Sequence, residues 1–200
     1  KLSILSSIAM GGLYVSPEEI STTGISAITL DDINFATKIG CGIKLLAVFL
    51  NDDGYDKPAT YVAPHYVSKK SMLAPVEDVF NGIIVEGNAL GEAMFYGKGA
   101  GKLPTASAVV ADVLDAGLHM KKDAHIKKWY QSDSKVVLDY EETVVSIIVK
   151  GDAEGIASAF ASYETEKISD CAVVVRNIAH KDIDSAVSSV NGASWLHYLG

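Results

Sequence analysis

Phe95-Tyr96-Gly97-Lys98-Gly99-Ala100-Gly101-Lys102-Leu103-Pro104-Thr105-Ala106-Ser107-Ala108-Val109-Val110-Ala111-Asp112 reads as the end of a strand, a glycine loop and the start of a helix. Glycines at 97, 99 and 101 let the backbone pass close to a ligand or a neighbouring segment. Amides that open the following helix favour an anion, and Pro104 with Thr105 marks where that helix begins. Two readings fit these residues: a tight turn between a strand and a packed helix, and a junction that holds a phosphate. The loop is not G-x-G-x-x-G, because Lys102 occupies the sixth position, and it is not a phosphate-binding Walker loop, because Leu103 follows Gly101-Lys102. A G-x-S-x-G nucleophile turn is absent, so hydrolase and kinase chemistry have no support.

Outward from the loop, Asn81 to Glu86 and Glu92 to Tyr96 read as a hairpin turning at Gly87-Asn88, and Thr105 to Met120 as the long helix after it. Upstream, a helix over 1–10 ends at Gly11-Gly12, with Leu2, Ile4, Leu5, Ile8 and Ala9 on one broad apolar face. A second helix is expected over 31–39, its first turn carrying Asp31 and Asp32 and its apolar face Ile33, Ala36 and Ile39. Ile43 to Leu50 reads as a strand buried on both faces, Asn51 to Gly54 as a turn, and Thr60 to Val67 as a further strand. A polar stretch, 121–134, reads as a linker anchored by Trp129 and Tyr130 and sets the expected domain boundary. Beyond it come strands at 135–140 and 143–150, a helix at 152–163, a strand at 171–177, a helix at 181–190 and a strand at 194–199. Such alternation predicts a small α/β sandwich.

The 200 residues, 48% of them hydrophobic, suffice for a sizeable core. No apolar run approaches the length of a bilayer span, and a signal peptide is rejected because no small-residue cleavage site follows the first helix. A net charge of -8 with Arg176 as the one arginine argues against nucleic acid as a partner. Cys41 and Cys171 read as buried thiols of a reducing compartment, which suggests the cytoplasm. The chain opens on Lys1 without an initiating methionine and reads as part of a longer protein.

The five histidines, at 65, 119, 125, 180 and 197, are scattered and show no metal-ligand spacing, so no metal site is expected. Asp31-Asp32 and Asn51-Asp52-Asp53 are read as helix-start and turn charges, and Lys1 alone as a solvated surface charge.

Ordered blocks carry a resemblance. Lys1 to Ala9, Gly24-Ile25 with Ile28, Asp32-Ile33 with Ala36, Gly40 to Ala47, Val62-Ala63-Pro64, Asn81-Gly82-Ile83, and Tyr96 to Gly101 with Pro104 to Val109 and Asp112 resemble homoserine dehydrogenase over about 1–117. The resemblance implies an α+β fold: a substrate-binding and dimerising domain over 1–120, a mixed sheet with helices on one face, and a glycine loop and helix returning to a nucleotide domain outside this chain. It implies interconversion of aspartate semialdehyde and homoserine with NADP or NAD, on the route to threonine and methionine, by a homodimer. Lys1 matches the lysine that donates a proton to the developing alkoxide, and is expected to be exposed here. Gly97, Gly99, Ala100, Gly101 and Thr105 match the loop and helix start near the cofactor. The family's acidic residue four positions before that lysine, and its substrate glutamate, would precede Lys1. Thr23 stands where the family often has glutamate before Gly24-Ile25. The part from Thr143 resembles an ACT-type, ferredoxin-like regulatory module over 135–200, which implies an amino-acid effector, although of the usual Asp-x-Pro-Gly loop only Gly155 fits. The fragment itself is expected to be inactive. The rival reading is a non-catalytic dimerising, amino-acid-sensing module, distinguished by whether G-x-G-x-x-G lies upstream of Lys1.

Overall fold

Ala59–Ser68 (β3) is buried almost throughout, on both faces. In the computed structural model, which describes residues 1–51, 56–120 and 128–200, β3 is the hub of a seven-stranded sheet. One flank pairs antiparallel with Cys41–Leu50 (β2). The other is shared by two parallel partners: Ser21–Thr22 (β1) against Tyr61 and Val62, and Ser194–Leu199 (β9) against His65 to Val67. Pro64 falls between these two pairings, where its missing N–H breaks no ladder on that flank.

Beyond β9 the sheet continues with Val144–Lys150 (β6), Ala172–Ala179 (β8) and Glu164–Ser169 (β7), all antiparallel. With helices Ala153–Ala159 (α4) and His180–Ser188 (α5), this C-terminal part runs βαββαβ, a ferredoxin-like order. Strand alternation divides β6 between two layers: Ile147 and Val149 pack with Ile156, Phe160 and Ile183 on the α4–α5 side. Ile148 joins Phe35 and Ala36 of Leu30–Lys38 (α2) on the opposite face. A capping box starts α2, Thr29 accepting from the Asp32 amide while the Asp32 carboxylate accepts from the Thr29 amide; Asp32 serves the helix as expected.

Several expectations are corrected. β2 is an edge strand, not one buried on both faces: among the described residues it pairs with β3 alone, and Leu45 and Leu50 are exposed. Residues 135–140 form no strand: Val136 and Val137 are buried in one cluster with Val15 and pair with no strand. Two strands lie outside the expectation: the two-residue β1, and β7, whose Glu-Thr-Glu-Lys run lies on the exposed edge. The helix expected at 152–163 stops at Ala159, and Asp152 caps it by accepting from the Gly155 amide. Ile33 is exposed, with Phe35 taking its place in the core. Cys171 is exposed and only Cys41 is buried. The turn at Asn51 to Gly54 and the linker residues 121–127 lie outside the described residues, whereas Tyr130 exchanges backbone hydrogen bonds with Gly12 and Tyr14. His65, His180 and His197, scattered in sequence, meet in the interior.

Two compact units result: one joins 1–68 to 128–200, the other is 69–127, so that one seam falls within 121–134 and a second, at 68/69, joins the first part of the chain to the last. The sheet explains the first, since β3 pairs directly with β9. The second holds the antiparallel hairpin Phe80–Gly87 (β4) and Gly91–Lys98 (β5), as expected, and the helix Lys102–His119 (α3). None of its described residues is buried. No described helix is long and apolar enough to cross a membrane.

Candidate functional site

Lys1 is exposed and stands at the N-cap of Leu2–Ala9 (α1), its carbonyl accepting from the Leu5 amide. The helix ends in a Schellman motif. The Gly12 amide reaches the Ser7 carbonyl, the Gly11 amide reaches that of Ile8, and both glycines have positive φ. A side chain at Gly12 would meet the Lys128 carbonyl at 2.9 Å.

Of the expected apolar face, α1 buries Leu2 alone. Leu2, Ser3, Ser6 and Ser7 point inward, while Ile4, Leu5 and Ile8 are exposed. Serine is in the interior because it binds Val15 at both ends: Ser3 Oγ donates to the Val15 carbonyl at 2.6 Å and Ser7 Oγ accepts from its amide at 2.9 Å. Lys1 therefore heads a helix whose outward stripe is apolar.

In the other unit, β5 delivers Gly97 and Lys98 to the loop, and the Gly99 amide donates to the Val79 carbonyl at 2.9 Å. Register puts Asn81 opposite Gly97, and the Asn81 side chain lies against Gly99 so closely that a Cβ there would sit 1.5 Å from Asn Nδ2. Asn81 was quoted in sequence only as part of a block; the hairpin register is the signal that places it beside the loop. Gly101, at φ 119° and ψ 150°, occupies backbone space almost closed to other residues and is the N-cap of α3. The helix thus begins at Lys102, ahead of the start expected at Thr105, and Thr105 donates its amide to the Gly101 carbonyl at 3.1 Å. Since Pro104 has no N–H, the helix start offers the amides of Lys102 and Leu103. Gly97, Gly99, Ala100, Gly101 and Thr105 are all exposed, so the structure brings the loop residues together. Phe80 and Tyr96 stack beneath the loop at 4.9 Å, and Lys98 lies over Phe80. Lys1 belongs to one unit and the loop to the other. Among the described residues no cluster of His, Cys, Asp or Glu is arranged to hold a metal ion.

Fold and site define a mixed α/β protein with a lysine-headed helix and a strand–glycine loop–helix junction. A family model described as homoserine dehydrogenase matches residues 1–114. A homoserine dehydrogenase of Synechocystis sp. is 44% identical over 117 residues, 58% of this chain and 27% of that protein. One from Helicobacter pylori is 30% identical over 187 residues, 92% of this chain and 42% of that protein. Among solved structures, the homoserine dehydrogenase of Thiobacillus denitrificans superposes with a TM-score of 0.79 at 25% identity, over 100% of this chain and 52% of that one. That of S. aureus at pH 6.0 gives 0.69 at 26% identity, over 100% and 52%. The chain belongs to the homoserine dehydrogenase family. It spans from 27% to 52% of the length of these relatives.

Proposed function

We propose that this chain supplies the proton-donating lysine and the glycine-loop part of an enzyme that interconverts L-aspartate 4-semialdehyde and L-homoserine with NADP or NAD. The family match carries the reading, because residues 1–114 include both Lys1 and the loop. Loop chemistry supports a dinucleotide: Gly97 meets nothing within 4 Å where a Cβ would stand, and Gly101 opens an 18-residue helix. Gly97, Gly99, Ala100, Gly101 and the amides before Thr105 would lie along the cofactor, an arrangement suited to an anionic group. The bound nicotinamide supplies or takes up a hydride. As the aldehyde carbon is reduced, negative charge grows on its oxygen, and the Lys1 ammonium both stabilises that charge and gives it a proton. In the reverse direction the Lys1 amine takes the hydroxyl proton.

The nucleotide is proposed to be held mainly by residues outside these 200, since no G-x-G-x-x-G occurs among them. We further propose a homodimer in which the apolar outer face of α3, with Leu103 78% and Leu118 72% exposed, is covered by the rest of the enzyme. The C-terminal βαββαβ part is proposed to take an amino-acid effector, which calorimetry with threonine checks: heat of binding is expected, and its absence removes the effector. For the activity, semialdehyde-dependent oxidation of NADPH and NADH is measured. The whole enzyme is expected to turn over and the 200-residue chain alone to stay at background. Turnover by the chain alone, or none by the whole enzyme, overturns the proposal.

A further inference from the structure

His65 on β3, its register partner His197 on β9, and His180 at the head of α5 form one buried group, each 6% exposed or less. The ring centroids of His65 and His197 are 4.7 Å apart, and those of His180 and His197 5.0 Å. Tyr61 stacks on both His65 and His197.

Their contacts assign the protons. His65 Nδ1 lies 2.9 Å from the Ala63 carbonyl, and His180 Nδ1 lies 3.1 Å from that of Thr143. A carbonyl only accepts, so both Nδ1 atoms carry hydrogen and both Nε2 atoms are bare in the neutral rings. The Tyr61 hydroxyl donates to His65 Nε2 at 3.4 Å. His180 Nε2 is 2.8 Å from His197 Nε2 and accepts from it, and the Pro64 carbonyl is a second acceptor for His197. Three neutral rings thus satisfy one another, and a fourth proton has to enter a site whose acceptors are carbonyls and imidazoles. The charged and titratable groups around it offer little compensation. Lys44 on β2 stands opposite His65, and Lys181 is paired with Glu142. Tyr61 and Tyr140 contribute neutral hydroxyls, and Asp184 on α5 and Glu141 bear on the site from its margin.

We propose that His65, His180 and His197 form a proton-sensitive latch: while all three rings are neutral they hold β3 to β9 and to the head of α5, and proton uptake releases the C-terminal βαββαβ part from the β2–β3 pair. The joint is short, since β3 and β9 pair at only three positions and His65 opposite His197 is the first of them. Burial is the main force keeping the rings neutral, lowering His65 to about 4 and His197 to about 3. Once the joint opens, the rings meet water and take protons below their ordinary value near 6.5. Proton uptake by His65 and His197 alone raises the open population by up to about a hundredfold per pH unit over that window.

Hydrogen exchange on the 200-residue chain, read as protection relative to the intrinsic rate, tests this between pH 7.5 and 5.5. Protection of β9 is expected to fall at least tenfold per pH unit below 6.5, while β6 and β8 keep theirs. His197→Gln, whose amide still donates to His180 Nε2, is expected to remove about tenfold per pH unit from that dependence. Should this variant fail to fold, nitrogen NMR of the unaltered chain decides: His65 and His180 are expected as Nδ1–H tautomers, with His65 still neutral at pH 5.5. Rings that titrate near 6.5 in the folded chain, unchanged β9 protection, or simultaneous loss across β6, β8 and β9 would overturn the latch.

Discussion

At the residue scale, Lys1 and Gly101 illustrate what a sequence does and does not disclose. Lys1 stands out in sequence only through the ordered blocks around it, and Gly101 through its neighbours in the loop. What Gly101 does was not legible: its φ of 119° makes it the N-cap of α3 and moves the helix start ahead of Pro104. Gly101→Ala is expected to cost about 1–3 kcal/mol, because the backbone must hold a Cβ in a region other residues avoid; urea unfolding of the chain checks this, and a loss under half of that range argues against the conformation. Ser7 makes the opposite case. Nothing in a serine's position announces that it, and not Ile4 or Ile8, will face inward; only the Val15 amide, eight residues on, makes that orientation favourable. Ser7→Ala leaves that buried amide unpaired and is expected to destabilise by about 1–3 kcal/mol, whereas Ile4→Ser on the exposed stripe should change stability little. Equal effects of the two in thermal unfolding would contradict the assigned face.

At the element scale, the local signals were dependable and the long-range ones were hidden. The β4–β5 hairpin, the acidic first turn of α2 at Asp31-Asp32 and the Gly11-Gly12 cap depend on residues within a few positions of one another. Thr29→Ala is expected to lower stability by about 1 kcal/mol through loss of the box, measured by chemical denaturation; no change would mean that the α2 start is held by something else. β7 was missed because its outward residues are polar and it lies at the sheet edge, where no apolar alternation is demanded. The segment 135–140 was misread because two adjacent valines suggested a strand, while their burial comes from the Val15 cluster. β2 was misread for the same kind of reason: apolar side chains on an edge strand look in sequence like those of a central one.

At the scale of the whole molecule, the merger of both halves into one sheet was invisible in sequence, because the pairing of His65 with His197 spans most of the chain. That distance also hid the histidine group. Its consequence for stability has a definite sign. The unfolded chain binds protons at these rings below about 6.5, the folded chain only near 4 at His65 and near 3 at His197. Their contribution is therefore complete above pH 6.5 and declines as pH falls toward those values. By pH 5 each of the two has withdrawn about 2 kcal/mol, a large share of a domain's usual margin. A melting temperature that stays level from pH 7 to 5 would show that the rings are not buried neutral.

The proposed reaction depends above all on Lys1 as the proton donor. In the whole enzyme, Lys1→Ala should lower kcat for semialdehyde reduction by a factor of about 10²–10⁴ while cofactor affinity, measured by fluorescence titration with NADPH, stays within about twofold. A variant that keeps more than a tenth of the unaltered kcat would contradict the assignment of Lys1.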